Sequence, residues 1–312
     1  MDSNQVIDRT AIIDCGTNTF NLLVLEKREG KWKSIFQNKL PVKLGAGGFD
    51  EGILLEPRMA RGVDALLSYQ NTLKSLEVTK VKVFATSAVR EAKNGSYFVD
   101  LVKKKLGFEI EVISGDREAE LIFKGVNLTT KGKLSDYLII DIGGGSTEFI
   151  LVKEGVPVWK KSYLLGISRL YDAIHPQDRL VKEDVEKLRK ILQRELVDLK
   201  DVLEKYPVES LVGSSGSFDT FSDLYYFQTN KNHERLDLTE IPNREFSTMH
   251  QFLVGSSLAE RKKHPAIPSI RAEFMPLASH LVKYVYELAL IKRIHCSTHA
   301  LKEGVLTELE VQ

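Results

Sequence analysis

Apolar and polar positions follow the same order in two segments of the chain. Ala11-Ile-Ile-Asp14-Cys-Gly16 and Leu138-Ile-Ile-Asp141-Ile-Gly143 each run through an apolar stretch to one Asp and then to Gly. Hydroxyl, amide and glycine residues follow: Thr17-Asn18-Thr19 in the first copy, Gly144-Gly145-Ser146-Thr147 in the second. Each copy then returns through another apolar run, Phe20 to Leu25 and Glu148 to Val152. The pattern predicts a β-hairpin in each half, with a glycine-lined turn that leaves no Cβ in front of the backbone.

The flanking periodicity fills in the rest. In the first half, Trp32 to Leu40 reads as a third strand, and Met59, Val63, Leu66, Leu73 and Leu76 form a helical stripe. Val81 to Ala85 is a short buried strand, followed by a helix through Leu106 that Gly107 closes. Glu109 to Ile113 alternates as a strand, with Ser114 as cap of the next helix. In the second half, strands are predicted at Tyr137 to Ile142, Thr147 to Val152, Val156 to Leu164, Ser210 to Val212 and Ile294 to Cys296. Val181 to Leu203 reads as one long amphipathic helix, and Ser269 to Leu290 as another, interrupted at Pro276. Thr298 is expected to cap a final helix through Glu310. Strands alternating with helices in both halves predict a two-domain α/β protein with its seam in the polar stretch Asn127 to Ser135.

Charge narrows the partners. With 44 Lys and Arg against 43 Asp and Glu there is no global basic field, so DNA is not an expected partner and any anion site must be local. No apolar run is long enough to span a bilayer, and residues 1–10 lack an apolar signal core, so no membrane association is expected. Two cysteines, Cys15 and Cys296, are too few for a disulfide framework; the simple reading is a reduced, cytoplasmic protein. The basic runs Lys103 to Lys105 and Arg261 to Lys263 read as solvated faces, and the dispersed histidines argue against a His-built metal site.

Four places could carry chemistry. The paired Asp-Gly turns read as anion cradles, because consecutive glycines cost backbone entropy and free N–H groups suit phosphate; an isolated Asp-x-Gly turn would be only structural. Ala85 to Asn94 leaves a strand for a helix, where Arg90 can present a guanidinium to phosphate or merely be solvated. In Ser114-Gly-Asp-Arg-Glu118, the glutamate either serves the helix dipole or projects into the cleft as a general base. Gly213-Ser214-Ser-Gly216 is a further strand–turn–helix junction, either a cap or a phosphate-chain contact.

Taken together, these motifs resemble the exopolyphosphatase / guanosine pentaphosphate phosphohydrolase family of the actin, acetate-kinase and sugar-kinase superfamily. The resemblance rests on Ile13 to Thr19, Ala85 to Asn94, Ile113 to Ala119, Ile140 to Glu148 and Val212 to Ser217. It implies two ribonuclease-H-like domains around an interdomain cleft: residues 1–126, rejoined by the C-terminal helix 299–312, and residues 127–298. By position it implies Glu118 as catalytic base and Arg90 as a phosphate-facing partner. It implies Asp141 and Glu148, with Asp14 assisting, as ligands of Mg²⁺, with Mn²⁺ as a substitute. Thr17, Asn18, Thr19, Gly143, Gly144, Gly145, Ser146, Thr147, Gly213 and Ser214 fall in its phosphate-binding segments. The implied activity is release of terminal phosphate from polyphosphate or guanosine pentaphosphate, in a chain that could be a homodimer. Arg117, Glu273, Leu277 and Lys302 depart from the usual family pattern. A non-catalytic polyphosphate or alarmone sensor, and more remotely a small-molecule kinase, stand as alternatives.

Overall fold

The computed structural model describes residues 8–230 and 236–309. The first domain opens with the meander β1 (Arg9–Cys15), β2 (Thr19–Arg28) and β3 (Lys31–Pro41). Helix α1 (Glu56–Ser75) carries the chain to β4 (Lys80–Ala85), which lies parallel to β1. Helices α2 (Ser87–Glu91) and α3 (Gly95–Leu106) lead to β5 (Ile110–Val112), parallel to β4, and α4 (Gly115–Thr130) leaves the sheet.

The second domain repeats the plan. β6 (Tyr137–Ile142), β7 (Thr147–Lys153) and β8 (Val156–Tyr163) form its meander. Helices α5 (Ile167–Ile174), α6 (Lys182–Glu195) and α7 (Val197–Lys205) precede β9 (Ser210–Ser214), which is parallel to β6. After α8 (Ser215–Thr229) come β10 (Leu238–Ile241), α9 (Asn243–Gly255), α10 (Leu258–Lys263), α11 (Met275–Leu288), β11 (Arg293–Ser297) and α12 (Leu301–Leu309). The sheets run β3-β2-β1-β4-β5 and β8-β7-β6-β9-β11-β10. Five strands in each share one wiring, and β10 is an antiparallel addition at the edge. These are the two ribonuclease-H-like domains that the resemblance implied. Central β6, parallel to β9 and antiparallel to β7, is buried throughout, as a strand covered on both faces must be.

Three apolar clusters hold the molecule together. One lies in each domain, and the third joins them. The joining cluster draws Ile12, Leu23 and Phe84 from the first sheet and Ile139, Ile150 and Val212 from the second. Between them sit Leu121, Ile122 and Val126 of α4 with Leu301 and Val305 of α12. The two helices touch backbone to backbone: a Cβ on Gly125 would stand 1.9 Å from the Ala300 carbonyl oxygen, and one on Gly304 would stand 1.8 Å from that of Leu121.

Several expectations are corrected. The helix read across Val181 to Leu203 is two helices, because the chain leaves helical geometry at Leu196 (φ −101°, ψ 24°). Pro276 stands in the first turn of α11, where its missing N–H has no role, so the helix begins there and is not interrupted. Thr298 precedes α12 by three residues and bonds to Asp237; the first turn of α12 is served instead by Glu303, which accepts from the Ala300 N–H at 2.9 Å. Glu310 lies outside the described residues. Arg261 is buried, not solvated: its guanidinium donates to the carbonyls of Ala272, Leu253, Ser256 and Asp178. Helix α4 continues to Thr130, so the seam expected at Asn127 begins inside its last turn.

The α4–α12 contact is testable. Gly304→Ala forces a methyl onto the Leu121 backbone, which cannot yield as a side chain would. The expected cost is about 1–3 kcal/mol or more, read as a lower urea midpoint at unchanged slope. Gly255→Ala is the control, because a Cβ there meets nothing within 4 Å.

Candidate functional site

The hairpin turns β1–β2 and β6–β7 line one interdomain cavity of about 190 Å³. Register explains the match: Asp14 pairs with Asn21 across the first hairpin and Asp141 with Glu148 across the second, each two residues before the turn glycine. Behind the second turn, α5 takes the loop carbonyls. The N–H of Ile167 donates to Gly143 O at 2.9 Å and that of Ser168 to Gly144 O at 3.0 Å. Behind the first, Val42 and Lys43 N–H groups donate to Asn18 O and the Gly45 N–H to Thr17 O. Among the described residues, no acceptor takes the N–H groups of Thr17, Asn18, Gly144 or Gly145. Carbonyls secured and amides left over is the arrangement that binds an anion.

The turns also approach each other closely. A Cβ on Gly144 would stand 2.8 Å from Thr17 Cβ, and one on Gly145 would stand 2.6 Å from Ser87 Oγ. Glycine is required at both positions for this reason. The Ser87 hydroxyl is buried without a partner, and Asn18 Nδ2 bonds Ser168 Oγ across the domains at 2.7 Å. Further out, Lys39 pairs with Asp219 (3.1 Å) and Lys43 with Glu273 (3.6 Å), again one partner from each domain.

Glu118 stands in the first turn of α4, which Ser114 caps by accepting from the Arg117 N–H at 3.2 Å. Its carboxylate lines the cavity, and Arg90 Nη1 donates to its Oε2 at 2.8 Å. Arg90 also donates to Glu91 and to the Ile113 carbonyl, so it orients Glu118 and does not itself line the cavity. Burial pushes the Glu118 pKa well up, with help from the charge on Glu148 and against the pull of Arg90. Glu148 is raised to about 7 by burial and by Asp141, although Ser162 Oγ donates to it at 2.6 Å. Asp14 is raised to about 6 by burial, with Asn21 and Lys302 opposing. Asp141 is raised by burial as well, while the hydroxyls of Ser214 (2.5 Å) and Ser215 (2.6 Å) donate to its Oδ2. This concentration of buried carboxylates is where a cation could be held.

Not every expected residue reaches the cavity. Thr17, Asn18, Thr19, Gly143, Gly144, Gly145, Ser146, Asp14, Asp141 and Glu118 line it. Glu148, Thr147, Gly213 and Ser214 do not; they lie behind it. Thr147 donates to the Leu165 carbonyl, and Gly213 makes room for the Phe218 ring, which a Cβ would meet at 2.0 Å. The cavity also recruits Ser87, Lys39, Ser215, Asp219, Arg271, Lys302 and Glu303, which the sequence reading did not assign to the site. Ser87 and Ser215 carried a local signal, as parts of the Ala85–Asn94 segment and the Gly-Ser-Ser-Gly turn, and Lys302 stood out as a departure from the family pattern.

With this fold and site in view, the comparisons agree. The sequence matches the Ppx/GppA phosphatase family over residues 23–312, and the chain belongs to that family. Exopolyphosphatase 2 of Mycobacterium tuberculosis is 27% identical over 321 residues, covering 98% of this chain and 99% of that one. The crystal structure of an exopolyphosphatase from Cytophaga hutchinsonii superimposes with a TM-score of 0.94 at 32% identity, over 97% of this chain and 98% of the other. The Ppx/GppA family member from Aquifex aeolicus gives a TM-score of 0.78 at 25% identity, over 97% and 98%. Among the described residues no helix is long and apolar enough to cross a membrane.

The carboxylate cluster carries a stability consequence. Glu148 sheds its proton near 4.5 when unfolded but only near 7 when folded. Between those values the folded chain binds more protons, so stability falls as pH rises through about 7. Glu148→Gln is therefore expected to be more stable than the parent at pH 8, on the order of 1–3 kcal/mol. The advantage should disappear toward pH 4, which paired thermal melts at the two pH values will measure.

Proposed function

We propose that this protein is an exopolyphosphatase that releases the terminal phosphoryl group of inorganic polyphosphate by attack of water. The observation that carries the reading is the pair of glycine-lined turns with unclaimed N–H groups on one cavity, with the Glu118 carboxylate buried on the same wall. The turns would hold consecutive phosphates, and Glu118 would orient the water and accept its proton. Burial suits that role, because a base with a raised pKa takes a proton more readily near neutral pH. Arg90 fixes the carboxylate in one orientation through the 2.8 Å bond.

The acidic residues fit a divalent cation. Among the described residues no three His, Cys, Asp or Glu side chains form a ready cage. Mg²⁺ does not demand one, since it keeps waters and binds through one or two carboxylates together with substrate phosphates. Asp14, Asp141 and Glu148 bury negative charge, which Lys302 opposes at Asp14 and Arg90 at Glu148, and an added cation would relieve it. Asp141, on the cavity wall, would hold Mg²⁺, or Mn²⁺ in its place, with Asp14 beside it and Glu148 behind it holding the ion's water; once bound it would supply positive charge to the phosphoryl oxygens.

Polyphosphate is preferred because the relatives of M. tuberculosis and C. hutchinsonii are named for it. Guanosine pentaphosphate ends in the same anhydride and is the comparison substrate. Glu118→Gln should lower the rate of phosphate release by about 10²–10⁴-fold while leaving the fold intact. Chelation of divalent ions should abolish release, and Mg²⁺ should restore it. Near-normal turnover by Glu118→Gln would remove the base assignment. Tight polyphosphate binding with no turnover in either Mg²⁺ or Mn²⁺ would make the chain a sensor.

A further inference from the structure

A second cavity, of about 510 Å³, opens on the α4/α12 side of the first sheet. It is lined by Asp8, Thr10, Lys27, Trp32, Lys80, Val81, Lys82 and Leu309. These residues come from the start of β1 and β4 and the β2–β3 turn, about 20 Å along the strand from the Gly16 loop. The cavity is therefore separate from the interdomain cleft.

Its chemistry is one-sided. Three lysines face it, and among the described residues the one carboxylate on its wall, Asp8, is engaged by Lys80 at 3.3 Å. Among the described residues, no carboxylate pairs with Lys27 or Lys82. Lys27 Nζ instead stands 5.5 Å from the centroid of the Trp32 ring. Two polar atoms on the wall, Thr10 Oγ1 and Trp32 Nε1, are buried without a hydrogen-bond partner. Thr10 as a whole is only 2% exposed. Burying such a group unpaired costs about 1–3 kcal/mol, and an indole N–H can only donate. The cavity wall thus carries ammonium groups, an indole N–H and a hydroxyl, all of them hydrogen-bond donors.

We propose that this cavity is a binding site for a phosphorylated small molecule, independent of the phosphohydrolase cleft. The phosphoryl oxygens accept from Lys27, Lys82, Trp32 Nε1–H and the Thr10 hydroxyl. The volume lies in the range of small-molecule sites and exceeds what phosphate alone would fill. The remainder of the ligand packs on the Trp32 ring, Val81 and Leu309.

Trp32 makes the test direct, because the chain has only two tryptophans. In a Trp159→Phe background, Trp32 emission is followed while phenyl phosphate, inorganic phosphate and benzoate are added at constant ionic strength. The expected result is a saturable change with phenyl phosphate, weaker binding of inorganic phosphate, and weaker binding still of benzoate. Lys27→Met/Lys82→Met should weaken phenyl phosphate by about a hundredfold or more, since each charge-assisted bond lost is worth about tenfold or more. Thr10→Val should weaken it less, and Asn18→Ala in the cleft should leave it unchanged. Absence of a saturable change, equal binding by benzoate, retention of affinity in the double-lysine variant, or loss of binding in Asn18→Ala would each overturn the proposal.

Discussion

The contact between α4 and α12 is the constraint on which the rest of the molecule depends. Gly125 and Gly304 allow the two helices to meet at backbone distance, and the pair forms an apolar layer shared by both sheets. Helix α4 carries Glu118 on its first turn. The packing that joins the domains therefore also places the carboxylate between the two turns. A side chain at either glycine would separate the helices and move Glu118 with them.

The cleft is built against local stability. Asp14, Glu118, Asp141 and Glu148 are all buried, and burial, with the charge of a neighbouring carboxylate, raises the proton affinity of each. The fold tolerates this because each is tied down from behind: Asn21 holds Asp14, Arg90 holds Glu118, two serines hold Asp141, and Ser162 holds Glu148. The carbonyls of the loops are likewise engaged by α5 and by the Val42–Gly45 segment. Positional order is thus achieved while the carboxylates stay clustered, only partly offset by Arg90 and Lys302.

Much of this was legible from residue order. The doubled Asp-Gly hairpin specified both turns, because an apolar run closing on an Asp and a glycine-containing turn is a local signal. Ser114 and Gly107 marked their helix boundaries through cap chemistry. What was not legible depended on tertiary contact. Thr147, Gly213 and Ser214 sit in glycine- and hydroxyl-rich stretches that look like ligand loops, yet their groups serve Leu165, Phe218 and Asp141. Arg261 looked solvated because its partners are four carbonyls from three separate places in the fold. Ser168, Asp219 and Arg271 enter the site region on helices and loops with no motif of their own. Leu196 breaks a helix that its own periodicity would continue.

The two edges of the cleft differ in kind. Its inner side is an apolar seam, indifferent to dissolved salt. The outer margin is stitched by Lys39–Asp219 and Lys43–Glu273, partly exposed pairs of the sort that contribute about 0–1 kcal/mol and weaken as ions screen them. Ionic strength consequently acts on the aperture while the pivot stays fixed. Any anion that reaches the mouth would meet the same two ammonium groups that Asp219 and Glu273 engage.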